Sequence, residues 1–206
     1  GGMRGCYVEV DSKNRYLFVG GHHDGRVTMM KLEEDGSIGE IADGIFHKGI
    51  GRTIAERSSK PHVDCVKLTP DEKFLCAVEN DQPHFEKVQT ITTTTPKEAD
   101  VCAASGLEVT MDGEYLFCSN AGANSVSIYE IDKESGCLTM MCNSKISGDY
   151  PKMIGICPDR MHFMSLNNET NEITMFKVDY EKKYILMEEK PIPVDKPNCI
   201  YIHKLS

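Results

Sequence analysis

Short apolar runs and polar turns alternate along this chain in one recurring order. Stretches that begin at Cys6, His62, Ser105 and Lys152 can be written under one another, and a further start follows at Lys196. Within each stretch the apolar positions alternate with a period of two, and the turns between runs carry Asp, Gly or Asn. This pattern is typical of short β-strands, whereas a helix needs a period of 3.6. The sequence therefore predicts units of four strands, repeated along the chain.

The length of the repeat indicates the architecture. Asp112 and Asp159 occupy equivalent turns in successive units and are 47 residues apart. A period of about 40–50 residues with four strands per unit is typical of a propeller blade, and a single blade cannot bury both of its faces. We therefore expect an all-β fold, a β-propeller of four-stranded blades, in one domain over residues 1–206.

One interval does not fit this period. Asp71 and Asp112 are only 41 residues apart, although the interval includes a Thr-rich stretch at residues 92–95. The run that ends at Asn80 should be followed by a third strand, but the next segment looks like a fourth strand. We therefore predict a gap or a lost segment near residues 80–84, up to a whole blade, and interpret residues 92–95 as a polar, extended connector.

Composition narrows the classes of function. The chain has 206 residues, 27% of them charged, and a net charge of −9. Phosphate backbones require a basic protein surface, so the charge argues against nucleic-acid binding. No apolar run approaches the length needed to span a membrane, and the first ten residues contain no apolar signal core.

The cysteines suggest a reducing environment. Nine cysteines are scattered through the chain without a C-x-x-C pair, mostly within apolar runs. We interpret them as buried free thiols in a protein of the reducing cytoplasm. No His, Cys, Asp or Glu spacing fits a metal site, so we expect neither a metal nor another cofactor.

Several short motifs of the repeat resemble those of a known protein family. Pro61-His62 precedes a strand that ends in Thr-Pro-Asp at Asp71, and the Ser-Asn-x-Gly-x-Asn-Ser word runs from Ser119 to Ser125. In this order, over nearly the whole chain, they resemble the lactonase family of seven-bladed propellers. The resemblance implies seven blades and a cytoplasmic hydrolase without a metal. It would open the small sugar lactone 6-phospho-D-glucono-1,5-lactone to 6-phosphogluconate.

Three departures from the family pattern keep alternatives open. Where many members carry Ala-Ala-Glu-Ile-Arg, residues 104–108 read Ala-Ser-Gly-Leu-Glu. Ala121 replaces an arginine, and Lys152 replaces the arginine of a Pro-Arg word. These departures favour a second hypothesis, a catalytically silent propeller that binds a sugar phosphate or a protein partner. A third hypothesis is a lactonising or isomerising enzyme of the carboxymuconate type.

Propeller geometry suggests where a ligand would bind. The first strand of each blade lies innermost, so the loop leading into it and the loop between the second and third strands share one rim of the central channel. Ligands bind in such concave mouths. His62 precedes a first strand and is our candidate general base. Asp64 lies two residues on, on the same strand face, and would orient the His62 ring or act itself.

Substrate-binding candidates are cationic or polar residues on the same predicted rim. Arg52 and Arg57 lie in the long loop before His62 and have the geometry to bind a phosphate. Lys152 would neutralise a phosphate or a carboxylate as a point charge. His22 lies in a loop between second and third strands.

Asn120 completes the candidate set, and four of the candidates have a structural alternative. Asn120 recurs as Asn167 at the same position of the next unit, as expected if asparagine ends a strand and shapes a turn. His62 would equally bond loop carbonyls, His22 would sit on an exposed turn, and Lys152 would be a solvated rim lysine.

Overall fold

The computed structural model describes residues 5–21, 25–46, 63–77, 88–98 and 102–202. Fifteen strands and no helix occur in these ranges. In chain order the strands are β1 (Tyr7–Val10), β2 (Tyr16–Gly21), β3 (Arg26–Leu32), β4 (Ile38–Phe46), β5 (Val66–Leu68), β6 (Leu75–Ala77), β7 (Ala103–Val109), β8 (Tyr115–Ala121), β9 (Ser125–Ile131), β10 (Leu138–Lys145), β11 (Pro151–Ile156), β12 (His162–Asn167), β13 (Glu172–Asp179), β14 (Tyr184–Met187) and β15 (Ile192–Pro193). No helix in these ranges is long and apolar enough to cross a membrane.

The chain divides into two compact units, Gly1–Thr90 and Ile91–Ser206. The first contains the antiparallel sheet β1-β2-β3-β4 and the hairpin β5-β6. The second contains the sheets β7-β8-β9-β10 and β11-β12-β13-β14, with β15 paired to β13. These antiparallel four-stranded meanders confirm the predicted all-β class and the four-stranded repeat. The predicted single domain over residues 1–206 stays a prediction, and the predicted gap at residues 80–84 lies outside the described residues.

The Thr-x-Asp motif of the repeat stabilises the turn between the first and second strands of a four-stranded unit. The Thr110 hydroxyl donates to Asp112 Oδ1 at 2.6 Å and accepts the Tyr115 backbone N–H at 3.0 Å. Thr69 and Asp71 make the same 2.6 Å contact before β6. Short polar side chains stabilise turns by bonding nearby backbone groups. The repeated residues therefore specify the repeated turn.

The two sheets of the second unit pack through aromatic side chains. Phe117 of β8 meets Phe163 of β12 edge-on, with ring centroids 5.3 Å apart, and Phe163 stacks on Phe176 of β13 at 5.2 Å. All three rings are at most 3% exposed. Aromatic pairs of this kind contribute roughly 0.5–1.5 kcal/mol beyond the burial of their area. The inward-facing positions of the period-two pattern therefore form the core.

The described part of the first unit buries a core of its own. Phe18 of β2 and Val27 of β3 pack against Val63 and Val66 at the start of the β5-β6 hairpin. The burial comes from one face of the β1–β4 sheet, as the alternating pattern predicts.

The cysteines differ widely in burial. All nine are free thiols; Cys65, Cys102 and Cys118 are buried, whereas Cys6 and Cys137 are among the exposed ones. The predicted free thiols are therefore confirmed, whereas the predicted burial holds for only some of the nine cysteines.

Candidate functional site

The structure describes three of the seven candidate site residues. Asp64 lies in the first unit, and Asn120 and Lys152 lie in the second. The other four candidates lie outside the described residues: His22, Arg52, Arg57 and His62.

Asp64 lies two residues before the short β5 strand and is half-buried. Its backbone carbonyl accepts a weak, 3.7 Å hydrogen bond from the Cys6 thiol, which also donates to the Val63 carbonyl at 3.0 Å. The segment leading into β5 is therefore fastened to the segment before β1. The proposed partnership of Asp64 with His62 stays a prediction.

Asn120 is fully buried at the end of β8. Its amide N–H groups donate to the Thr93 carbonyl at 3.1 Å and to the Ser127 hydroxyl at 3.0 Å. A side chain used in this way favours the structural alternative for Asn120.

The Thr-rich segment is more than a connector. Besides Asn120, the Asn143 amide donates to the Thr93 carbonyl at 2.9 Å, and the Tyr129 hydroxyl donates to the Thr92 carbonyl at 2.8 Å. The β8–β10 strands therefore hold the backbone carbonyls of this segment with their polar side chains.

Lys152 lies in the position that the repeat predicts, at the start of β11, and is exposed. Its ammonium group lies 5.6 Å from the centroid of the Tyr150 ring. A cation over an exposed aromatic face gains roughly 0.5–1 kcal/mol. The ring therefore restricts where the Lys152 charge is presented.

Tyr150 has an unusual backbone conformation. Its φ angle is +60°, which is strained for a bulky side chain. Its N–H donates to Asn124 Oδ1 at 2.9 Å, and its carbonyl accepts the Asn168 N–H at 3.0 Å. Asn124 Nδ2 also donates to Asp149 Oδ1 at 2.6 Å. These contacts hold the loop before β11 in a shape that the sequence alone would not favour.

Strand β7 fixes the same loop from the other side. The Ser105 hydroxyl donates to the Pro151 carbonyl at 2.7 Å. A Cβ at Gly106 would lie 3.0 Å from the Lys152 carbonyl oxygen and from Met153 Cα. Gly106 therefore permits close packing of β7 on β11.

Sequence reasoning missed Asn124, Tyr150 and Ser105 as neighbours of Lys152. One signal was present. In the sequence, Tyr150-Pro151-Lys152 has a parallel in Lys196-Pro197-Asn198. In the structure, Tyr150 and Lys196 both have positive φ angles, +60° and +42°. A non-glycine residue in this conformation before a proline marks a specially held loop.

The arrangement offers one exposed cation on a backbone held at several points. Because the backbone is already fixed, binding of an anion here has to order only the side chain. Within the described ranges, no three His, Cys, Asp or Glu side chains come together in a way that could hold a metal ion.

Solved structures share this fold at low sequence identity. A Bacteroides fragilis protein described as a candidate 6-phosphogluconolactonase is 23% identical; the match covers 96% of this chain and 72% of that one, with a TM-score of 0.62. The Pseudomonas aeruginosa periplasmic gluconolactonase PpgL is 14% identical, over 96% and 72% of the two chains, with a TM-score of 0.60.

Curated relatives give the same family. The 6-phosphogluconolactonase of Bacillus subtilis is 20% identical over 259 residues, covering 97% of this chain and 74% of the relative. The family model described as "Lactonase, 7-bladed beta-propeller" matches residues 1–82 and 76–202. Since these two matches include almost every residue, the chain belongs to the lactonase family of seven-bladed β-propellers.

Proposed function

We propose that the protein is a hydrolase that opens a sugar lactone, and that its substrate is 6-phospho-D-glucono-1,5-lactone. The observation that carries the proposal is the family match over residues 1–82 and 76–202. The curated relative from Bacillus subtilis, named 6-phosphogluconolactonase, supports the substrate.

The reaction requires little machinery. A water oxygen attacks the lactone carbonyl carbon, the ring C–O bond breaks, and one water proton passes to the departing ring oxygen. The products are a hydroxyl group and a carboxylic acid, which becomes a carboxylate by releasing the second proton to solvent. A general base that takes the proton from water typically contributes about 100- to 10,000-fold. Donors or cations that stabilise the developing oxyanion lower the barrier further.

We assign the general base to His62, with Asp64 as its orienting group. This assignment is supported by the sequence position of His62, four residues before β5 begins at Val66, and by the near-neutral pKa of histidine. His22, Arg52 and Arg57 remain proposed substrate contacts on their sequence positions. Asn120 is the weakest of the proposed contacts, because its side chain is fully buried.

Lys152 is the proposed group for the negative charge of the substrate. Its exposed ammonium and its rigid backbone support this role. A cytoplasmic location is also part of the proposal, and the nine free cysteines support it.

A binding protein without catalysis is the second candidate. The observation that favours it is Gly106, which replaces the glutamate of many members and whose surroundings leave no room for a longer side chain. This candidate would bind a sugar phosphate without opening a lactone.

The test compares catalysed hydrolysis with the spontaneous opening of the lactone. Purified protein should accelerate acid release from 6-phosphogluconolactone, followed with a pH indicator against a protein-free reaction. His62→Ala should lower the catalysed rate by about 100- to 10,000-fold without changing the far-UV circular dichroism spectrum. A rate equal to the spontaneous one would reject the hydrolase and favour the binding protein.

A further inference from the structure

We infer that Asn124 is a positioning residue, which holds Tyr150 in its left-handed conformation and so directs Lys152 toward the phosphate of the substrate. The inference rests on the proposed function for the identity of the ligand. It rests on contacts within the second unit for the mechanism.

Asn124 uses both ends of its amide on one loop. Oδ1 accepts the Tyr150 N–H at 2.9 Å, and Nδ2 donates to Asp149 Oδ1 at 2.6 Å. Left-handed backbone is disfavoured for a residue with a Cβ, so the Tyr150 conformation needs such external support. Asn124 itself has a φ angle of +49°, which asparagine tolerates better than most residues.

The conformation of Tyr150 determines the surroundings of Lys152. Only Pro151 separates them, its ring fixes φ, and its carbonyl is held by Ser105 at 2.7 Å. With both flanking segments fixed, the direction of the Tyr150 ring follows from its backbone. The Lys152 ammonium lies against that ring, 5.6 Å from its centroid.

The same device occurs once more in this unit. Asn171, 47 residues after Asn124, has a φ angle of +56° and accepts the Lys196 N–H at 3.0 Å. Lys196 is followed by Pro197 and by the uncharged Asn198. The scaffold is therefore repeated, but only the first copy carries a cation directly after the proline, which makes the second copy a natural control.

A positioning role through Lys152 predicts a particular kinetic signature. Lysine acts as a point charge, so its displacement weakens attraction for a phosphate but leaves the chemistry at the lactone carbonyl unchanged. The effect should therefore fall on KM rather than kcat, and only for a phosphorylated substrate.

The main experiment compares Asn124→Gly with Asn171→Gly. Glycine accepts a positive φ without strain, so each variant removes only the amide. For Asn124→Gly, KM for 6-phosphogluconolactone should rise about tenfold, as expected for weakening one contact to a charged group, with kcat unchanged. KM for unphosphorylated glucono-1,5-lactone should not change. Asn171→Gly should alter neither substrate.

Two results would overturn the positioning role. One is an equal loss of activity on both lactones in Asn124→Gly, which would indicate a purely structural residue. The other is full additivity with Lys152→Met, because a residue that acts through Lys152 has nothing left to affect once the charge is gone.

Calorimetric binding separates this inference from the proposed hydrolysis. Wild type and Asn124→Gly are titrated with 6-phosphogluconate and with gluconate. Weaker binding of only the phosphorylated acid by Asn124→Gly supports the inference even if no turnover is found. Turnover with an unchanged KM in Asn124→Gly overturns the inference and leaves the hydrolase intact. A wild type that neither turns over the lactone nor binds the acid overturns both.

Discussion

The β7–β10 and β11–β14 sheets are built on one frame, yet they satisfy the same buried asparagine differently. Asn167 Oδ1 accepts a hydrogen bond from the Ser165 hydroxyl at 2.8 Å. At the equivalent position, 47 residues earlier, Asn120 Oδ1 is buried, and no hydrogen-bond donor reaches it from the described part of the chain. The residue that corresponds to Ser165 is Cys118, whose thiol instead lies 3.7 Å from the Ser119 carbonyl.

The difference shows which part of the repeat is fixed. In both sheets the asparagine amide donates to the carbonyl of a preceding segment, at Thr93 for Asn120 and at Ser147 for Asn167. This contact ties each blade to the chain that leads into it. The group that satisfies the amide oxygen varies, and buried oxygens without a donor are costly.

The largest expected effect on stability comes from removing all the hydrogen bonds of the Asn167 side chain. Asn167→Ala removes bonds to Ser147, Ser165 and Thr174. It should lower the free energy of unfolding by about 2–3 kcal/mol, because buried polar partners are left without hydrogen bonds. Urea denaturation followed by circular dichroism measures this value.

Asn120→Ala is the matched variant. It should cost about 1 kcal/mol less than Asn167→Ala, because it also removes an oxygen that is unsatisfied in the folded state. An equal or larger loss for Asn120→Ala would contradict the difference between the two sheets.

A smaller effect of opposite sign is expected for Cys118→Ser. The new hydroxyl would give Asn120 Oδ1 the donor that Ser165 gives Asn167, and should stabilise the fold by up to about 1 kcal/mol. Ser165→Cys is the reciprocal change and should destabilise. Thermal unfolding of both variants checks the signs; destabilisation by Cys118→Ser would show that the oxygen has another partner in solution.

The smallest effect concerns pH. His162, where the other sheet has Tyr115, contacts Asp159 Oδ2 at 2.6 Å and Glu188 Oε2 at 3.0 Å. The hydrogen bond to Asp159 raises the pKa of His162 above its ordinary value of 6.5. Its stabilisation should therefore be complete below pH 6.5 and be lost as the pH rises through the raised pKa.

The size of this pH effect should stay below about 1 kcal/mol, as is usual for pairs near the surface. The stability of wild type and of His162→Gln, measured by urea denaturation between pH 5.5 and 8.5 in about half-unit steps, should converge toward the alkaline end. Parallel curves would exclude a contribution from His162.

Local sequence patterns predicted the strands and turns of this protein well. Alternating apolar residues gave the strands, and Thr110 with Asp112 gave a turn, because these signals act over a few residues. The left-handed Tyr150 and its bond to Asn124, 26 residues away, were not predicted. Such contacts depend on which segments the fold brings together. Neither an asparagine nor a tyrosine in the sequence indicates that it will make one.

The same limit applies to the candidate site. The position of Lys152 at the start of β11 followed from the repeat, whereas the burial of Asn120 did not. An asparagine at a strand end suits a turn, a ligand contact or an internal amide clamp equally well in sequence. The carbonyl of Thr93, which decides between them, lies in a segment whose composition suggested only a connector.

The most direct test of the account is the ratio of kcat/KM for 6-phosphogluconolactone to that for glucono-1,5-lactone, each corrected for spontaneous opening. The wild type should show a catalysed rate and a clear preference for the phosphorylated lactone. In Lys152→Met this preference should fall about tenfold or more, because a charge-assisted contact is lost. A preference that is unchanged in Lys152→Met would contradict the role of Lys152, and a wild-type rate equal to the spontaneous one would contradict the proposed activity itself.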